Sequence, residues 1–176
     1  MTKRIFLGLS VPNFIKQNVK ELKTEFSYLP IKWVPPENLH ITLVPPWKPE
    51  DFNKDLTLFK KLQISSPTEP LRFEKITHVK RGAFLRAEGS AHDSLIGLTN
   101  KLHEKLNRPK EKRDFQMHIT IARKVSSELQ LPDIELNWEF IPEGVIMFES
   151  LQHKEGTDYK IIHELSFTDN KDAVIL

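Results

Sequence analysis

Apolar residues in this chain recur with two periods, one of two residues and one of three to four. Segments in which they dominate or alternate with polar residues predict β-strands at 4–11, 31–34, 39–44, 71–80, 83–89, 116–124, 138–152 and 158–167. Segments in which they recur every three or four residues predict helices at 12–26, 51–64 and 92–106. Pro45 and Pro46 are expected to end the strand at 39–44, because proline has no N–H for a sheet ladder.

The order of these elements predicts an α+β protein with mainly antiparallel strands. We expect a hairpin turn at Arg81-Gly82, a second turn at 154–157 and a basic loop, NRPKEKRD, at 107–114. Two parts of similar content suggest a pseudo-repeat at about half the chain length. The pattern therefore predicts a single domain, 1–176, built of two pseudo-symmetric lobes.

Composition narrows the classes of protein to which the chain can belong. Its 176 residues are 39% hydrophobic and 28% charged, which is typical of a globular protein, and a net charge of +2 means that any attraction to nucleic acid must be local. The chain has no cysteine, which excludes disulfides and thiolate metal sites. No segment approaches the roughly 20 apolar residues that cross a bilayer. We expect a cytoplasmic monomer that has no membrane partner.

A short polar and apolar pattern occurs twice. HITL occupies residues 40–43, and HITI follows 78 residues later at 118–121. On a strand, His40 and Thr42 project from the face opposite to the aliphatic residues between and beside them, about 7 Å apart along the strand. His118 and Thr120 repeat that arrangement. If the two lobes face each other, two imidazoles and two hydroxyls converge on a shared cleft.

Such a set suits phosphoester cleavage by acid–base catalysis. One neutral imidazole takes a proton from water, and one imidazolium gives a proton to the leaving oxygen on the opposite side of phosphorus. The threonine hydroxyls can donate hydrogen bonds to the non-bridging oxygens. A hydrolytic zinc centre would need a third protein ligand that the two motifs do not supply. We therefore expect no metal and no cofactor.

The two motifs and their surroundings resemble a known family. HITL and HITI match the paired signature of the two-histidine (2H) phosphoesterases, and RIFLGLSVP, KWVPPENLHITLV and RDFQMHITIAR resemble the RNA 2′,3′-cyclic phosphodiesterases, formerly called 2′-5′ RNA ligases. The resemblance implies a bilobal, pseudo-twofold fold with an antiparallel sheet in each lobe, flanking helices and a central cleft. It also implies metal-independent hydrolysis of a terminal 2′,3′-cyclic phosphate to a 2′-phosphate. In that reaction His40 would be the proton donor and His118 the proton acceptor, an assignment that the symmetric motifs leave open.

Two further residues are candidates for the site. Arg123 matches an arginine that the family associates with the phosphate, but strict alternation places it on the face opposite to His118 unless the strand bends. Trp47 ends the segment VPPW, which stands where the family usually has an aromatic-Leu-Gly turn. At the rim of a cleft, Trp47 could stack on a terminal base.

Other functions compatible with the same residues stay open. The substrate could be a small cyclic nucleotide or a cyclic phosphate derived from ADP-ribose instead of an RNA 3′ end. The protein could also be a non-catalytic module that binds RNA ends, although binding alone needs cationic donors more than a base. RNA ligation by reversal of the hydrolytic reaction is a third option, but no adenylation motif to drive it is evident.

Overall fold

The structure, a computed structural model, describes residues 3–79, 83–110, 112–126, 128–129, 131, 134–154 and 156–168. Its helices are α1 (Asn13–Glu25), α2 (Phe52–Lys60) and α3 (Asp93–Lys105), and a short 3₁₀ turn spans Pro36–Asn38. Its strands are β1 (Ile5–Ser10), β2 (Lys32–Trp33), β3 (His40–Trp47), β4 (Leu71–Val79), β5 (Phe84–Glu88), β6 (His118–Arg123), β7 (Ile134–Phe140), β8 (Gly144–His153) and β9 (Gly156–Ser166).

The strands form one antiparallel sheet in the order β7-β4-β5-β6-β3-β1-β8-β9, with β2 paired to β6. We call β3, β1, β8 and β9 lobe one, and β6, β5, β4 and β7 lobe two. In each set the motif strand pairs with the strand that precedes a helix of 13 residues, β3 with β1 before α1 and β6 with β5 before α3. The lobes join where Ile41 of β3 pairs with Ile119 of β6. The predicted α+β, pseudo-twofold fold is confirmed, and the two lobe sheets are continuous through the motif strands.

The lobes do not coincide with the two halves of the sequence. Strands β8 and β9 lie at the end of the chain, yet β8 pairs with β1 and completes lobe one. Their counterparts β4 and β7 flank β5 and β6 in the sequence, but in the sheet they pair with each other on the outer side of β5. The free backbone N–H and C=O groups of an edge strand can pair with any extended segment, whatever its position in the chain. Chain order therefore does not decide which strand lies next to β1.

Three sequence predictions need correction. Strand β3 continues through Pro45 and Pro46, because its register with β1 is irregular between Leu7 and Ile5 and places both prolines where no regular ladder bond is needed. The single strand expected at 138–152 is two strands, β7 and β8, separated by the segment that contains Pro142. Helix α2 ends at residue 60 rather than 64. The β4–β5 hairpin is confirmed, while its turn at Arg81-Gly82 lies outside the described residues.

Helices cover one face of the sheet and leave the motif face open. The aliphatic residues of both motif strands are at most 2% exposed and belong to one core cluster with Ile15 of α1, Phe59 of α2 and Leu95 of α3. A smaller cluster of Phe6, Ile146 and Phe148 is separate from this core. Among the described residues, no helix is both long enough and apolar enough to cross a membrane.

Candidate active site

The two motif strands present their polar side chains as alternation predicts. Ile41 and Ile119 are fully buried, whereas the histidine and threonine on either side of each are only partly buried. Because Ile41 pairs with Ile119 in an antiparallel register, continuing that register by one residue sets His40 opposite Thr120 and His118 opposite Thr42. The two histidines are then diagonal neighbours across the pair, a relation that typically separates residues by about 7–8 Å.

All four motif side chains line one cavity of about 300 Å³. The structure therefore brings together the histidines and threonines that the sequence singled out, one pair from each lobe. Two further cavities, of about 410 Å³ and 510 Å³, adjoin this central cavity and share lining residues with it. A single open groove thus extends to either side of the histidine pair.

Both imidazoles are held by the same backbone contact. The Nδ1 of His40 lies 2.7 Å from the carbonyl oxygen of Asn38, and the Nδ1 of His118 lies 2.8 Å from that of Gln116. A carbonyl oxygen can only accept, so Nδ1 carries the hydrogen in each contact. In a neutral ring the remaining nitrogen, Nε2, is then the one that accepts a proton. Two residues upstream of each histidine, the chain thus fixes the tautomer that acid–base chemistry needs.

His40 is enclosed by aromatic rings. The centroids of Phe6 and Tyr159 lie 4.9 Å from that of the imidazole, and the centroid of Phe148 lies 5.8 Å away. Burial lowers the pKa of His40 from 6.5 to about 4, against the opposing effect of its backbone hydrogen bond and with a further contribution from the charge of Arg123. The His40 ring is therefore neutral at pH 7 when the cavity holds no anion.

His118 lies among charged residues instead of aromatic rings. Burial lowers the pKa of His118 as well, and its hydrogen bond to Gln116 opposes that shift. The charges of Arg86 and Arg113 lower this pKa further, while Glu88 raises it. The two imidazoles thus have the same backbone anchor and different electrostatic surroundings.

A β-bulge brings Arg123 to the cavity. Arg86 pairs with Thr120 and Leu85 pairs with Ala122, so Ile121 has no partner on β5. The extra residue shifts the alternation by one position. Arg123 consequently lines the same cavity as His118, where its Nη2 lies 3.4 Å from the hydroxyl oxygen of Tyr159. Alternation without this bulge would have turned Arg123 away.

The same bulge occurs at the matching position of the first motif. Gly8 of β1 pairs with Thr42 and Leu7 pairs with Val44, which leaves Leu43 unpaired. Leu43 and Ile121 each stand three residues after the motif histidine. The pseudo-symmetry of the two lobes therefore extends to the irregularities of their central strands.

Several residues of the site were not identified from the sequence. Arg86 and Tyr159 line the central cavity, from β5 and β9. The side chain of Asn38, which is 5% exposed, donates to the carbonyl oxygen of Thr157 at 3.1 Å and accepts from the backbone N–H of Tyr159 at 3.3 Å. These two hydrogen bonds of Asn38 link β9 to the segment that precedes His40. The only sequence signal for Arg86 is a cation inside an apolar strand, and none marks Asn38.

Trp47 does not line the central cavity. Its indole Nε1 donates to the Oδ2 of Asp55 at 2.8 Å, and the guanidinium of Arg108 lies 5.4 Å from the ring centroid. Asp55 is a buried residue of α2, so Trp47 connects the end of β3 to that helix. The aromatic residues that line the central cavity are Phe6, Phe84 and Tyr159.

Metal-ligating side chains are not grouped in the described part of the chain. Across those residues, no cluster of three or more His, Cys, Asp or Glu is placed to hold a metal ion. The polar groups at the central cavity are instead imidazole, hydroxyl and guanidinium groups, which donate or exchange protons, and the carboxamide of Gln152. This donor set suits an anion such as a phosphate.

Comparisons with known proteins identify relatives of this chain over most of its length. The RNA 2′,3′-cyclic phosphodiesterase of Methanocaldococcus jannaschii is 24% identical over 174 residues, which cover 92% of this chain and 99% of that protein. The protein of the same name from Archaeoglobus fulgidus is 30% identical over 145 residues, covering 74% of this chain and 78% of that protein. The crystal structure of E. coli LigT complexed with 3′-AMP superposes with a TM-score of 0.79 at 19% identity, covering 96% of this chain and 99% of LigT.

A family model gives the same classification. The 2′-5′ RNA ligase superfamily model matches residues 11–145, a span that runs from the end of β1 into β8 and includes both motif strands. The matched span is more than half of the chain, and the relatives above extend the similarity over most of the rest. This chain belongs to the 2′-5′ RNA ligase superfamily.

Proposed function

We propose that the protein hydrolyses the 2′,3′-cyclic phosphate at RNA 3′ ends to a 2′-phosphomonoester, with His40 and His118 as its acid and base and without a metal ion. The observation that carries this proposal is the convergence of both motif pairs on one cavity, with each imidazole held in the same tautomer. Two relatives bear the name RNA 2′,3′-cyclic phosphodiesterase, which supports an enzyme in preference to a non-catalytic binding module.

In the proposed reaction the phosphate lies between the diagonal histidines. The Nε2 of His118 accepts a proton from water as the water oxygen bonds to phosphorus, and the Nε2 of His40 donates a proton to the 3′ oxygen as the P–O3′ bond breaks. In-line displacement needs the acid and the base on opposite sides of phosphorus, which the two lobes provide. Exchange with solvent then returns the proton from His118 and restores the proton on His40.

The bound phosphate supplies the charge that His40 needs in order to act as an acid. In the empty cavity burial lowers the pKa of His40 to about 4, so the ring is neutral at pH 7. A phosphodiester anion favours the imidazolium and offsets the field of Arg123, and both effects raise the pKa of His40. Arg86 and Arg113 lower the pKa of His118, which favours the neutral ring of a base.

The remaining polar groups of the cavity would hold the phosphate oxygens. Thr42 and Thr120 flank the central Ile41–Ile119 pair, and each can donate its hydroxyl to a non-bridging oxygen. Arg123 reaches the cavity through the β6 bulge and carries a charge that balances the phosphate. These contacts stabilise a charge that grows at the non-bridging oxygens during displacement.

An RNA end fits the groove better than a small cyclic nucleotide. A cavity adjoins the central one on either side, and the larger is bordered by Trp33 and Phe84 and by the cations Lys32 and Lys124. Aromatic rings interspersed with cations are typical of surfaces that bind single-stranded nucleic acid.

All these residues come from one chain, so we also propose a single domain, 1–176, that works as a monomer in the cytoplasm, where RNA is available.

Hydrolysis in the presence of a chelator tests this proposal. In excess EDTA, an oligonucleotide ending in a 2′,3′-cyclic phosphate should yield a 2′-phosphate end at the same rate as without EDTA. His40→Ala and His118→Ala should each lower the rate by about 10²–10⁴-fold, because each removes a proton-transfer partner. Thr42→Ala and Thr120→Ala should lower it less. His78→Ala, which changes a strand histidine outside the three cavities, should keep the parent rate.

The variants also separate the acid from the base. A substrate whose 3′ leaving atom is sulfur needs little protonation as the bond breaks, so it should restore much of the activity of His40→Ala and none of the activity of His118→Ala. The reverse pattern would exchange the two roles. Folded histidine variants that retain the parent rate, or an activity lost in EDTA and restored by a divalent metal, would contradict the mechanism.

A further inference from the structure

Arg86 occupies the junction of two cavities. It lies in the middle of β5, with Thr120 as its partner on β6. Its side chain lines the central cavity together with His40 and His118, and it also lines the adjoining cavity of about 410 Å³. No step of the mechanism above uses this guanidinium beyond its field at His118.

The charge of Arg86 has no carboxylate partner among the residues that the structure describes. Within those residues no ion pair joins it to Asp or Glu, and its buried Nε–H has no acceptor. The nearest aromatic contact is to Phe84, whose ring centroid lies 5.4 Å from the guanidinium carbon. Burial lowers the pKa of Arg86. The charge of Glu88 raises this pKa, whereas the charges of Arg113 and Arg123 lower it further. A partly buried cation among other cations is costly in free energy unless an anion joins it.

Comparison of the lobes shows that this charge is particular to lobe two. Gly8 pairs with Thr42 as Arg86 pairs with Thr120, so the position in lobe one that matches Arg86 has no side chain. In lobe one the space near the histidine is filled by aromatic rings, and Arg4, just before β1, is the arginine of that lobe at the cavity. The cavity between the pseudo-symmetric motifs therefore carries more positive charge on the side of lobe two than on the side of lobe one.

We infer that Arg86 is an anion-binding residue of the site, which donates its guanidinium N–H groups to the non-bridging oxygens of the cyclic phosphate. This inference rests on the proposed function for the identity of the phosphate. Together with Arg123, Arg86 holds the phosphate from the side of lobe two and neutralises charge that develops there in the transition state. The planar fork of the guanidinium can engage two oxygens at once, which a lysine ammonium cannot do in the same geometry.

Binding of inorganic phosphate, measured by titration calorimetry, tests the site without turnover. Arg86→Met removes the charge with little change in volume and should weaken phosphate binding by about 10- to 100-fold. Arg86→Lys keeps the charge but loses the fork, so its loss should be smaller. Arg72→Met is the matched control, because Arg72 is an exposed arginine of the neighbouring strand whose Nε lies 2.9 Å from the Oε2 of Glu139. It should bind phosphate like the parent protein.

A second measurement distinguishes binding from a structural role. Arg86, Arg113 and Glu88 are the charged side chains that act on His118, and removal of the Arg86 charge should raise the pKa of His118 in an NMR titration of the unliganded protein. Arg86→Lys should leave that pKa closer to its parent value. If Arg86→Met does not fold, the lysine variant still shows whether the fork contributes to phosphate affinity.

Two substrates identify the phosphate that Arg86 contacts. A 2′,3′-cyclic mononucleotide offers only the scissile phosphate, and a dinucleotide with the same end offers a further phosphodiester. We expect Arg86→Met to lower kcat/KM for both substrates by a similar factor. A loss confined to the dinucleotide would overturn the assignment to the scissile phosphate. Unchanged phosphate affinity and unchanged His118 titration would overturn the inference while leaving hydrolysis by the parent protein intact, whereas absence of any hydrolysis would instead contradict the proposed function.

Discussion

At the scale of single residues, the two motif histidines are alike in their backbone contacts and different in their surroundings. Each Nδ1 donates to the carbonyl oxygen two residues upstream, at 2.7 Å for His40 and 2.8 Å for His118. Aromatic rings enclose the first imidazole, whereas guanidinium groups lie near the second. The same three letters, His-Ile-Thr, thus give two imidazoles with different tendencies to hold a proton.

This difference predicts an acidic optimum for kcat/KM. The active form of the unliganded protein has His40 protonated and His118 neutral. The protonated fraction of His40 falls as the pH rises above its pKa of about 4. The neutral fraction of His118 falls as the pH decreases through its lowered pKa. The profile should be bell-shaped with its maximum below pH 6.5, because burial lowers the pKa of both histidines below that ordinary value. In the complex the phosphate raises the pKa of His40, so the profile of kcat should extend to higher pH. Initial rates in buffers of constant ionic strength check both profiles, and a kcat/KM maximum well above pH 6.5 would exclude these pKa values.

At the scale of secondary-structure elements, the bulges at Leu43 and Ile121 decide what each motif strand presents to the cavity. In both strands the alternation of side chains between the two faces of the sheet shifts by one residue at the third position after the histidine. In β6 the change brings Arg123 to the cavity, whereas the prolines of β3 lie at a second irregularity, between Leu7 and Ile5 of β1. The partner strand must approach closely at this point, and on β1 the residue that pairs with Thr42 is Gly8.

A side chain at Gly8 should therefore disturb the site. A Cβ there would lie 2.6 Å from the carbonyl oxygen of Ile41, so Gly8→Ala must push β1 away from β3 next to Thr42. We expect a loss of about 1–3 kcal/mol in the free energy of unfolding, together with lower activity. Gly97→Ala is the matched control, because a Cβ at this exposed position of α3 meets nothing within 4 Å and should stabilise the helix by about 0.5–1 kcal/mol. Urea unfolding measures both changes, and a Gly8→Ala protein as stable and active as the parent would show that β1 has room to adjust.

At the scale of the whole molecule, the two lobes have one core and meet at the motif strands. Ile41 and Ile119 pair across the junction, and both belong to the cluster that includes residues of all three helices. The cavity with its histidines therefore lies above the centre of the fold. Protonation of a buried imidazole at this position acts on the stability of the entire protein.

We expect the protein to lose stability as the pH falls from 6.5 to 4. An unfolded chain takes up a proton at the ordinary pKa of histidine, 6.5, whereas burial lowers the pKa of His40 in the folded state to about 4. The unfolded state binds more protons within this window, so the free energy of unfolding decreases as pH decreases, by on the order of 1–3 kcal/mol from His40. His40→Gln should reduce the change measured by urea unfolding at pH 7 and pH 4. Equal pH dependence in the variant and the parent protein would contradict the buried neutral state of His40.

The sequence predicted most of the elements because their periodicity depends on residues only a few positions apart. The helices at 12–26 and 92–106 and the strands that contain both motifs were predicted within a few residues of their observed ends. The errors occurred where a distant partner decides. Whether a strand can continue through Pro45 depends on the register of β1. The break at 141–143 separates β7 and β8, which lie in different lobes of the sheet.

For the site, the sequence by itself determined which side chains share a face, since alternation follows from the local backbone: His40 with Thr42, and His118 with Thr120. Only the tertiary structure decided that these pairs meet, because the register of Ile41 with Ile119 joins residues 78 positions apart. It also decided that Arg123 lines the cavity, through a bulge set by β5, and that Tyr159 stands against the ring of His40. Such contacts depend on the strand that happens to pair alongside, and no local pattern specifies that partner.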